Sequence, residues 1–531
     1  MSNPIPPVRS YDRVLSRLSR RELLNIAWKL GIAAVTPAIV PSRIFAQMAF
    51  SDYPFTLGVA SGDPLPQGVV LWTRLAPRPL DGGGMPMANV EVLWEVARER
   101  AFRTIVQKGA AVARPELGHS VHVEATGLDP DREYFYRFRA GREVSQIGRT
   151  KTAPAPGAAV TQLRFGVCGC SHYEAGHFTA YRRVAQELFD FVFHTGDYIY
   201  EGRSDGGLNE RVRQHQGQEI YTLVDYRNRY AQYKSDPDLK AAHASAPFVM
   251  TYDDHEVDND YAGDRDENGT PPEVFLLRRA AAYQAYWEAM PIRQSAFPAG
   301  PDLRLYRRLT FGNLLDFNAL DTRQYRSDQV CDGGTEKDCA ARLDPARTML
   351  GAAQERWLFD NLGTARATWT VLGQQVPTFQ RDLGAAAATR YSSDKWDGYA
   401  AGRDRLFARL QETKAPNPIV LSGDVHVHYG ADLKRDFAKP ESATVGVEFT
   451  NTSITSGGDG ADAAGNWEQL RKDNPHLKYH SARRGYLSCT ATPASMRAEF
   501  KVLDRVTVPD QPIKVGGTLV VEAGRPGSVP G

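Results

Sequence analysis

Three things are scarce in this sequence, and each scarcity closes off a class of protein. Five cysteines in 531 residues cannot knit a disulfide scaffold, so stability has to come from packed cores. Net charge is nearly absent: 64 Lys and Arg stand against 63 Asp and Glu, leaving +1. That balance gives no global field toward nucleic acid or an anionic membrane, and an anionic ligand needs a local site. Long apolar runs are missing too. The stretch from about Leu30 to Val40 falls short of the ~20 residues a spanning helix requires, so no transmembrane anchor is expected in the mature form. What remains, 42% hydrophobic, 24% charged and 10% aromatic residues, is ordinary globular composition. At roughly 150 residues per domain, two or more units are expected.

The amino-terminal residues 1–50 are read as an export signal. Ser19-Arg20-Arg21-Glu22-Leu23-Leu24 precedes the weakly apolar stretch and resembles a twin-arginine signal, with an amphipathic first helix as the alternative because Lys29 interrupts the apolar region. The export reading implies the twin-arginine machinery as a partner and a periplasmic or secreted location. In that setting Cys331 and Cys339, which bracket a polar Gly-containing loop, are expected to form a disulfide. Cys168 and Cys170 end an apolar run, where a C-x-C is either a buried structural pair or a soft metal ligand.

Texture divides the rest of the chain. Over 51–152, Val90, Val92, Trp94 and Val96 alternate, and Val121-His122-Val123 leads through Gly127-Leu128-Asp129-Pro130 into Tyr134-Phe135-Tyr136-Arg137-Phe138. Period-two alternation with these turns predicts a small antiparallel, fibronectin-like β-sandwich. The linker Ala153-Pro154-Ala155-Pro156-Gly157-Ala158-Ala159 follows. Residues 160–522 alternate buried-looking runs with helical stretches such as Val274 to Met290, which predicts α/β layering around a central sheet. Residues 523–531 read as a flexible Gly/Pro-rich tail.

The apolar runs of this larger unit share one ending. Leu163–Val167 runs into Cys168-Gly169-Cys170, and Phe189–Phe193 into His194-Thr195-Gly196-Asp197-Tyr198-Ile199-Tyr200. Phe248–Tyr252 opens into Asp253-Asp254-His255-Glu256, and Ile419–Ser422 into Gly423-Asp424-Val425-His426. Residues just past the carboxyl ends of strands share one rim of an α/β sheet, and ligands gather there. Asp, His, Tyr and Cys converging on such a rim suit a centre of two or three metals: carboxylates bridge hard cations, while phenolate, thiolate and imidazole suit iron or zinc.

The order of these segments resembles the calcineurin-like metallophosphoesterases. The usual pattern carries Asn where Asp254 stands and His where Asp424 stands, and both departures favour a harder ion such as calcium. A fuller resemblance is to the PhoD-type alkaline phosphatases. It is carried by Phe55-Thr56-Leu57-Gly58-Val59-Ala60-Ser61-Gly62-Asp63-Pro64, Leu71-Trp72-Thr73-Arg74, Gly196-Asp197-Tyr198-Ile199-Tyr200-Glu201, Asp253-Asp254-His255-Glu256-Val257, Leu320-Asp321-Thr322-Arg323-Gln324-Tyr325-Arg326 and Trp396-Asp397-Gly398-Tyr399. It implies an α/β metallophosphoesterase-like core and a metal-dependent phosphoric ester hydrolase holding Fe3+ and Ca2+. Carried over, it implies Cys170, Asp197, Tyr200 and His426 around iron, with Asp197 bridging to calcium at Asp254, Asp397 and Asp424. Asn259 and Asp394 are further candidates for calcium.

Two residues are read as catalytic. His255 is placed to protonate or steady a leaving oxygen, or else to support the metal ligands. Arg323 is placed to grip a phosphate oxygen through its planar fork, or else to pair with a carboxylate such as Asp321. The expected substrate is a small-molecule or lipid phosphate ester, with a phospholipase D-like phosphodiesterase as the alternative activity. A secreted binding protein with a structural metal site is the competing class. Other motifs draw plainer expectations: a Gly-rich turn at Gly457-Gly458-Asp459-Gly460, solvent-facing helix residues at His476 and His480, and core packing for Tyr226, Tyr230 and Tyr233.

Overall fold

The computed structural model describes Phe50 and residues 52–204, 211–331, 333–337, 339–384 and 389–531. The twin-arginine segment lies outside the described residues. The amino-terminal strands are β1 (Val59–Leu65), β2 (Gly68–Arg74), β3 (Val90–Ala97), β4 (Ile105–Ala113), β5 (Ser120–Thr126), β6 (Glu133–Ala140), β7 (Glu143–Val144) and β8 (Gly148–Lys151). One layer is the antiparallel sheet β4-β3-β6-β7, with β8 also on β6. It packs Val92, Val96, Tyr136 and Phe138 against Val59, Val69, Leu71, Val121 and Val123 of β1, β2 and β5. That second layer is not private to the unit. β1 runs parallel to a core strand, with Ser61 opposite Pro247 and Gly62 opposite Phe248. The alternation of β1 explains this, since Val59 faces the sandwich while Ala60 packs with Trp72 and Ala231 on the other side.

The larger unit contributes β9 (Leu163–Cys168), β10 (Phe191–His194), β11 (Pro247–Met250), β12 (Arg307–Phe311), β13 (Leu315–Ala319), β14 (Thr335–Lys337), β15 (Trp369–Gly373), β16 (Arg390–Ser392), β17 (Pro418–Ser422), β18 (His428–Lys434), β19 (Thr444–Thr450), β20 (Gly460–Ala461), β21 (Leu477–Ala491), β22 (Ser495–Leu503), β23 (Ile513–Glu522) and β24 (Val529–Pro530). Two sheets form rather than the one expected. In the first, β11, β10 and β9 are parallel neighbours continued by antiparallel β21, β22 and β23. In the second, β13, β15, β17 and β19 are parallel, with β12 antiparallel at one side and β18 at the other. The long β21 belongs to both, pairing β18 through its first residues and β9 through its last.

The two sheets face each other across one apolar layer. Phe165, Val167, Phe191 and Phe193 of the first meet Phe311, Phe317, Trp369, Val371 and Ile419 of the second, with Phe191 and Phe311 stacked at 4.7 Å. Helices α1 (Thr179–Gln186), α2 (Leu223–Lys234), α3 (Pro237–His243) and α4 (Pro272–Ala289) cover the outer face of the first sheet. Helices α5 (Gly351–Thr364) and α6 (Ala400–Glu412) cover that of the second, and α7 (Trp467–Asp473) lies beside them. Burial on both faces is why the central strands read as unbroken apolar runs. Tyr226, Tyr230 and Tyr233 of α2 are buried in this core, as their spacing implied.

Cys331 and Cys339 are joined in a disulfide, Cα to Cα 6.6 Å, while Cys168, Cys170 and Cys489 are free and buried. The expected loose tail is tied down: Val529 and Pro530 return to pair with Val520 and Leu519, a strand edge that Gly/Pro content did not disclose. Among the described residues no helix is long and apolar enough to cross a membrane.

Candidate metal centre

The carboxyl ends of β9, β10, β11 and β17 meet at one rim, and backbone bonds knit the loops that leave them. Thr195 N donates to Cys168 O at 2.9 Å, Cys170 N to Gly196 O at 3.0 Å and Ser171 N to Asp197 O at 2.8 Å. Packing there demands glycine at two points. A Cβ on Gly196 would lie 2.4 Å from Asp253 N, and one on Gly423 would lie 2.5 Å from Thr195 Oγ1. Four ligand-type residues stand in the left-handed region: Cys170 at φ 56°, Asp197 at 53°, Asp424 at 68° and His426 at 57°. Such backbone is costly for side chains with a Cβ, and it persists where surrounding bonds over-determine it, as at functional sites. Glu256, buried behind the rim, is one such staple: its Oε2 accepts from Asp197 N at 3.0 Å and Asp253 N at 2.8 Å, and its Oε1 from Tyr198 N.

On one side of the rim, ligand atoms of Cys170, Asp197 and His426 lie within 4.8 Å of one another. The Tyr200 hydroxyl joins them, donating to Asp197 Oδ2 at 2.8 Å and lying 3.1 Å from His426 Nε2, while Ser456 Oγ donates to it at 2.6 Å. Burial, with the carboxylates of Asp197, Asp253 and Asp424, pushes the Cys170 thiol well above its usual value, so a cation is what would favour the thiolate. Cys168, by contrast, lies in the apolar layer under the helices.

On the other side, Asp197, Asp254 and His255 form a second group, and Asp253, Asp254 and Asp424 a third. Asp197 thus belongs to both sides, and its Oδ1 is buried with no hydrogen-bond partner, as is Asp253 Oδ2. His255 Nδ1 lies 2.7 Å from Glu201 Oε2, and its ring rests 4.1 Å from that of Tyr200. Burial disfavours the imidazolium, yet Glu201, Asp197 and Asp254 hold its pKa well above the ordinary histidine value. Burial likewise opposes charge on Asp254, but Arg323 and His255 hold it below the usual carboxylate range. The side chains of His255 (19% exposed) and His426 (32% exposed) mark where the site opens to solvent.

Some expected roles do not fit the geometry. Arg323 is fully buried and its fork is committed to Asp253, to Asp394 at 2.9 Å and to Asp424 at 2.6 Å, which leaves no face for a phosphate oxygen. Asp321 takes from Arg323 the backbone N–H, at 2.9 Å, and not the fork; its other donors are Tyr252 and Gln324. Asp397 gives its oxygens to Arg403 at 2.6 Å and Arg381 N at 2.8 Å, away from the ligand groups. Asn259 is held by Glu201 and Glu267. Asp394 does reach the carboxylate side, but it is clasped by Arg323, Arg326, Gln329 and Lys395. His476 and His480 are buried at and before β21 rather than on an exposed helix, His480 Nδ1 lying 3.1 Å from His428 O. Gly457-Gly458-Asp459-Gly460 is a turn, with Asp459 capping Val506 N and Thr507 N.

Glu201, Glu256 and His172 carry parts of the site that sequence reading gave no role. The first two sit inside the quoted motifs, so position alone could have flagged them. His172 follows Cys170 in the same loop, its ring 4.4 Å from that of Tyr200 and its Nδ1 buried without a partner.

Comparison with known proteins settles the family. Residues 165–500 match the family model of PhoD-like phosphatases, and residues 40–154 match the model of the PhoD-like phosphatase amino-terminal domain. The chain belongs to the PhoD-like phosphatase family. Over 514 residues it is 49% identical to alkaline phosphatase D of Bacillus subtilis strain 168, covering 96% of this chain and 88% of the relative. A solved structure of PhoD superposes with a TM-score of 0.90 at 51% identity, covering 91% of this chain and 93% of that one. The protein is therefore a phosphoric ester hydrolase, and the reading as a non-catalytic binding protein is set aside.

Proposed function

We propose that the chain is an exported hydrolase of phosphate mono- and/or diesters, working at a cluster in which Cys170, Asp197, Tyr200 and His426 hold ferric iron and Asp197, Asp254 and Asp424 hold calcium. The observation that carries this reading is Asp197, a member of both ligand groups whose Oδ1 is buried and unpartnered. An orphaned carboxylate oxygen costs several kcal/mol unless a cation meets it, about the penalty expected of a buried charge. Bound cations supply neutralisation of phosphate oxygens and acidification of a water molecule. Export is supported by the Cys331–Cys339 disulfide, which suits an oxidising compartment.

The chain's own groups divide the remaining work. His255, kept protonated by Glu201 and facing Asp197 and Asp254, hands a proton to the departing alkoxide oxygen. Glu201 fixes which ring nitrogen faces the ester by taking the other one. Tyr200 orients Asp197 Oδ2 and His426 Nε2. Arg323 does not touch substrate; it sets the spacing of Asp253, Asp394 and Asp424. The test is metal analysis of protein from its native host, combined with a panel of monoesters, diesters and phospholipids. Iron and calcium should both be present, and a calcium-selective chelator should abolish turnover until calcium is restored. Activity that survives exhaustive calcium removal, or returns only with zinc, overturns the assignment. Turnover confined to phospholipids would mark the phospholipase D-like alternative.

A further inference from the structure

The carboxylate side of the centre is built with its own cations, and they differ in how firmly they are placed. Asp253, Asp254, Asp394 and Asp424 face Arg323, Arg326 and Lys395. Arg323 has no exposed side-chain surface and reaches all four carboxylates. Arg326 is equally enclosed, donating to Asp394 and to the carbonyls of Asp394, Asp260 and Tyr261. Lys395 is placed otherwise. Its Nζ bridges Asp394 Oδ2, at 2.6 Å, and Asp424 Oδ2, while 15% of its side chain meets solvent.

The backbone of Lys395 cannot follow the side chain if it moves. Trp396 beside it is buried, with Nε1 donating to Gln374 at 2.8 Å, and the Lys395 carbonyl accepts from Gly398 N at 2.9 Å. A four-carbon stem on a fixed backbone lets the ammonium swing outward without disturbing the carboxylates. Charge gives that motion a purpose. Four carboxylates, with Asp260 3.8 Å from Arg323 as a fifth, face Arg323, Arg326 and Lys395, so negative charge remains with the ammonium in place and a divalent cation offsets more of it than Lys395 does.

We infer that Lys395 is an intramolecular competitor for the divalent cation: its ammonium stands on Asp394 and Asp424 until calcium displaces it, which weakens calcium binding and keeps the ion exchangeable. The inference rests on the calcium reading above. It makes Lys395 a positioning residue, acting through the cation and not on the ester.

Calcium titration of the chelator-stripped full chain by calorimetry tests it, using wild type, Lys395→Met, Lys395→Gln and the charge-preserving Lys395→Arg. The neutral variants should bind calcium on the order of tenfold tighter, since an attraction between charges at this burial exceeds a surface pair. Their melting temperatures should also rise more on calcium addition than that of wild type. Lys395→Arg should stay near the wild-type affinity. Equal or weaker calcium binding by a neutral variant whose near-UV circular dichroism is unchanged overturns the inference while leaving the calcium reading standing. No calcium isotherm in wild type or variants overturns that reading and the inference together.

Discussion

The two sides of the centre solve the burial of ligand groups in opposite ways. Around Cys170, Tyr200 and His426 the Tyr200 hydroxyl bonds Asp197, His426 and Ser456, the neighbouring Arg229 and Arg484 donate to the backbone carbonyls of Tyr200 and His426, and among the described residues no arginine or lysine forms an ion pair with Asp197. Around Asp253, Asp254 and Asp424 the carboxylates are paired with the protein's own cations, with Asp253 Oδ2 left without a hydrogen-bond partner and some negative charge left over. A side without an internal counter-ion is incomplete until a cation arrives and gives it up reluctantly. A side with one can exist either way. On the proposed metal reading, the contrast predicts tight retention on the Cys170 side and exchange on the Asp254 side, with Asp197, among the described residues, common to both.

Breaking the shared member should have the largest effect. Asp197→Asn keeps the shape but removes the charge that meets both cations, so turnover should fall about a thousandfold or more, with both metals depleted. Full loading and normal turnover in this variant would falsify the shared-ligand arrangement. Next in size is Arg323→Met, which leaves buried carboxylates facing one another. Denaturant unfolding should show a loss of about 3–5 kcal/mol, the usual range for removing one partner of a buried ion pair. Calcium should restore part of that loss, because it supplies the missing positive charge. If calcium restores nothing, the carboxylate side does not take a cation.

A smaller and more local effect separates the sides. Cys170→Ser should abolish or shift the visible charge-transfer colour of thiolate-bound ferric iron and reduce turnover by about ten- to a hundredfold, with calcium uptake nearly unchanged. Loss of calcium binding alongside the colour would merge the two sides into one.

What the sequence made legible follows from what is local. Each parallel strand is buried on both faces, so its apolar run is unbroken, and the polar residues that end it stand out: Cys170 after β9, Asp197 after β10, Asp254 after β11, His426 after β17. The pairing of two sheets was not legible, because Phe191 and Val192 read the same whether they face a sheet or a helix. Nor was the cationic side. Arg323, Asp394 and Asp424 meet across 71 and 101 residues of chain, and no spacing rule links them. Asp397 shows the converse error, since its motif is local but its partner Arg403, one turn into α6, is what settles its role.

The last prediction uses a second buried lysine as a control on charge compensation. Lys234 ends α2 with its Nζ 4.0 Å over the Trp72 ring and 5.5 Å from that of Tyr198. Arg74 from β2, His122 from β5, His194 from β10 and His243 from α3 also lie in its field, and among the described residues no carboxylate forms an ion pair with it. Burial, with Arg74 adding to it, brings its pKa down to about 7 from 10.5. The three histidines are themselves held below their ordinary value, chiefly by burial, and stay neutral at pH 7. Between those two lysine values the unfolded chain binds more protons than the folded one, so stability rises with pH across that window and is lowest below pH 7. Lys234→Met should therefore stabilise the protein by about 1–3 kcal/mol at pH 6, after the lost ring contact is discounted, and the gain should shrink steadily toward pH 10. Lys395→Met, which strips a cation from carboxylates, should do the reverse and destabilise the calcium-free protein. If both substitutions move stability in the same direction at pH 6, compensation by carboxylates is not what distinguishes the two lysines.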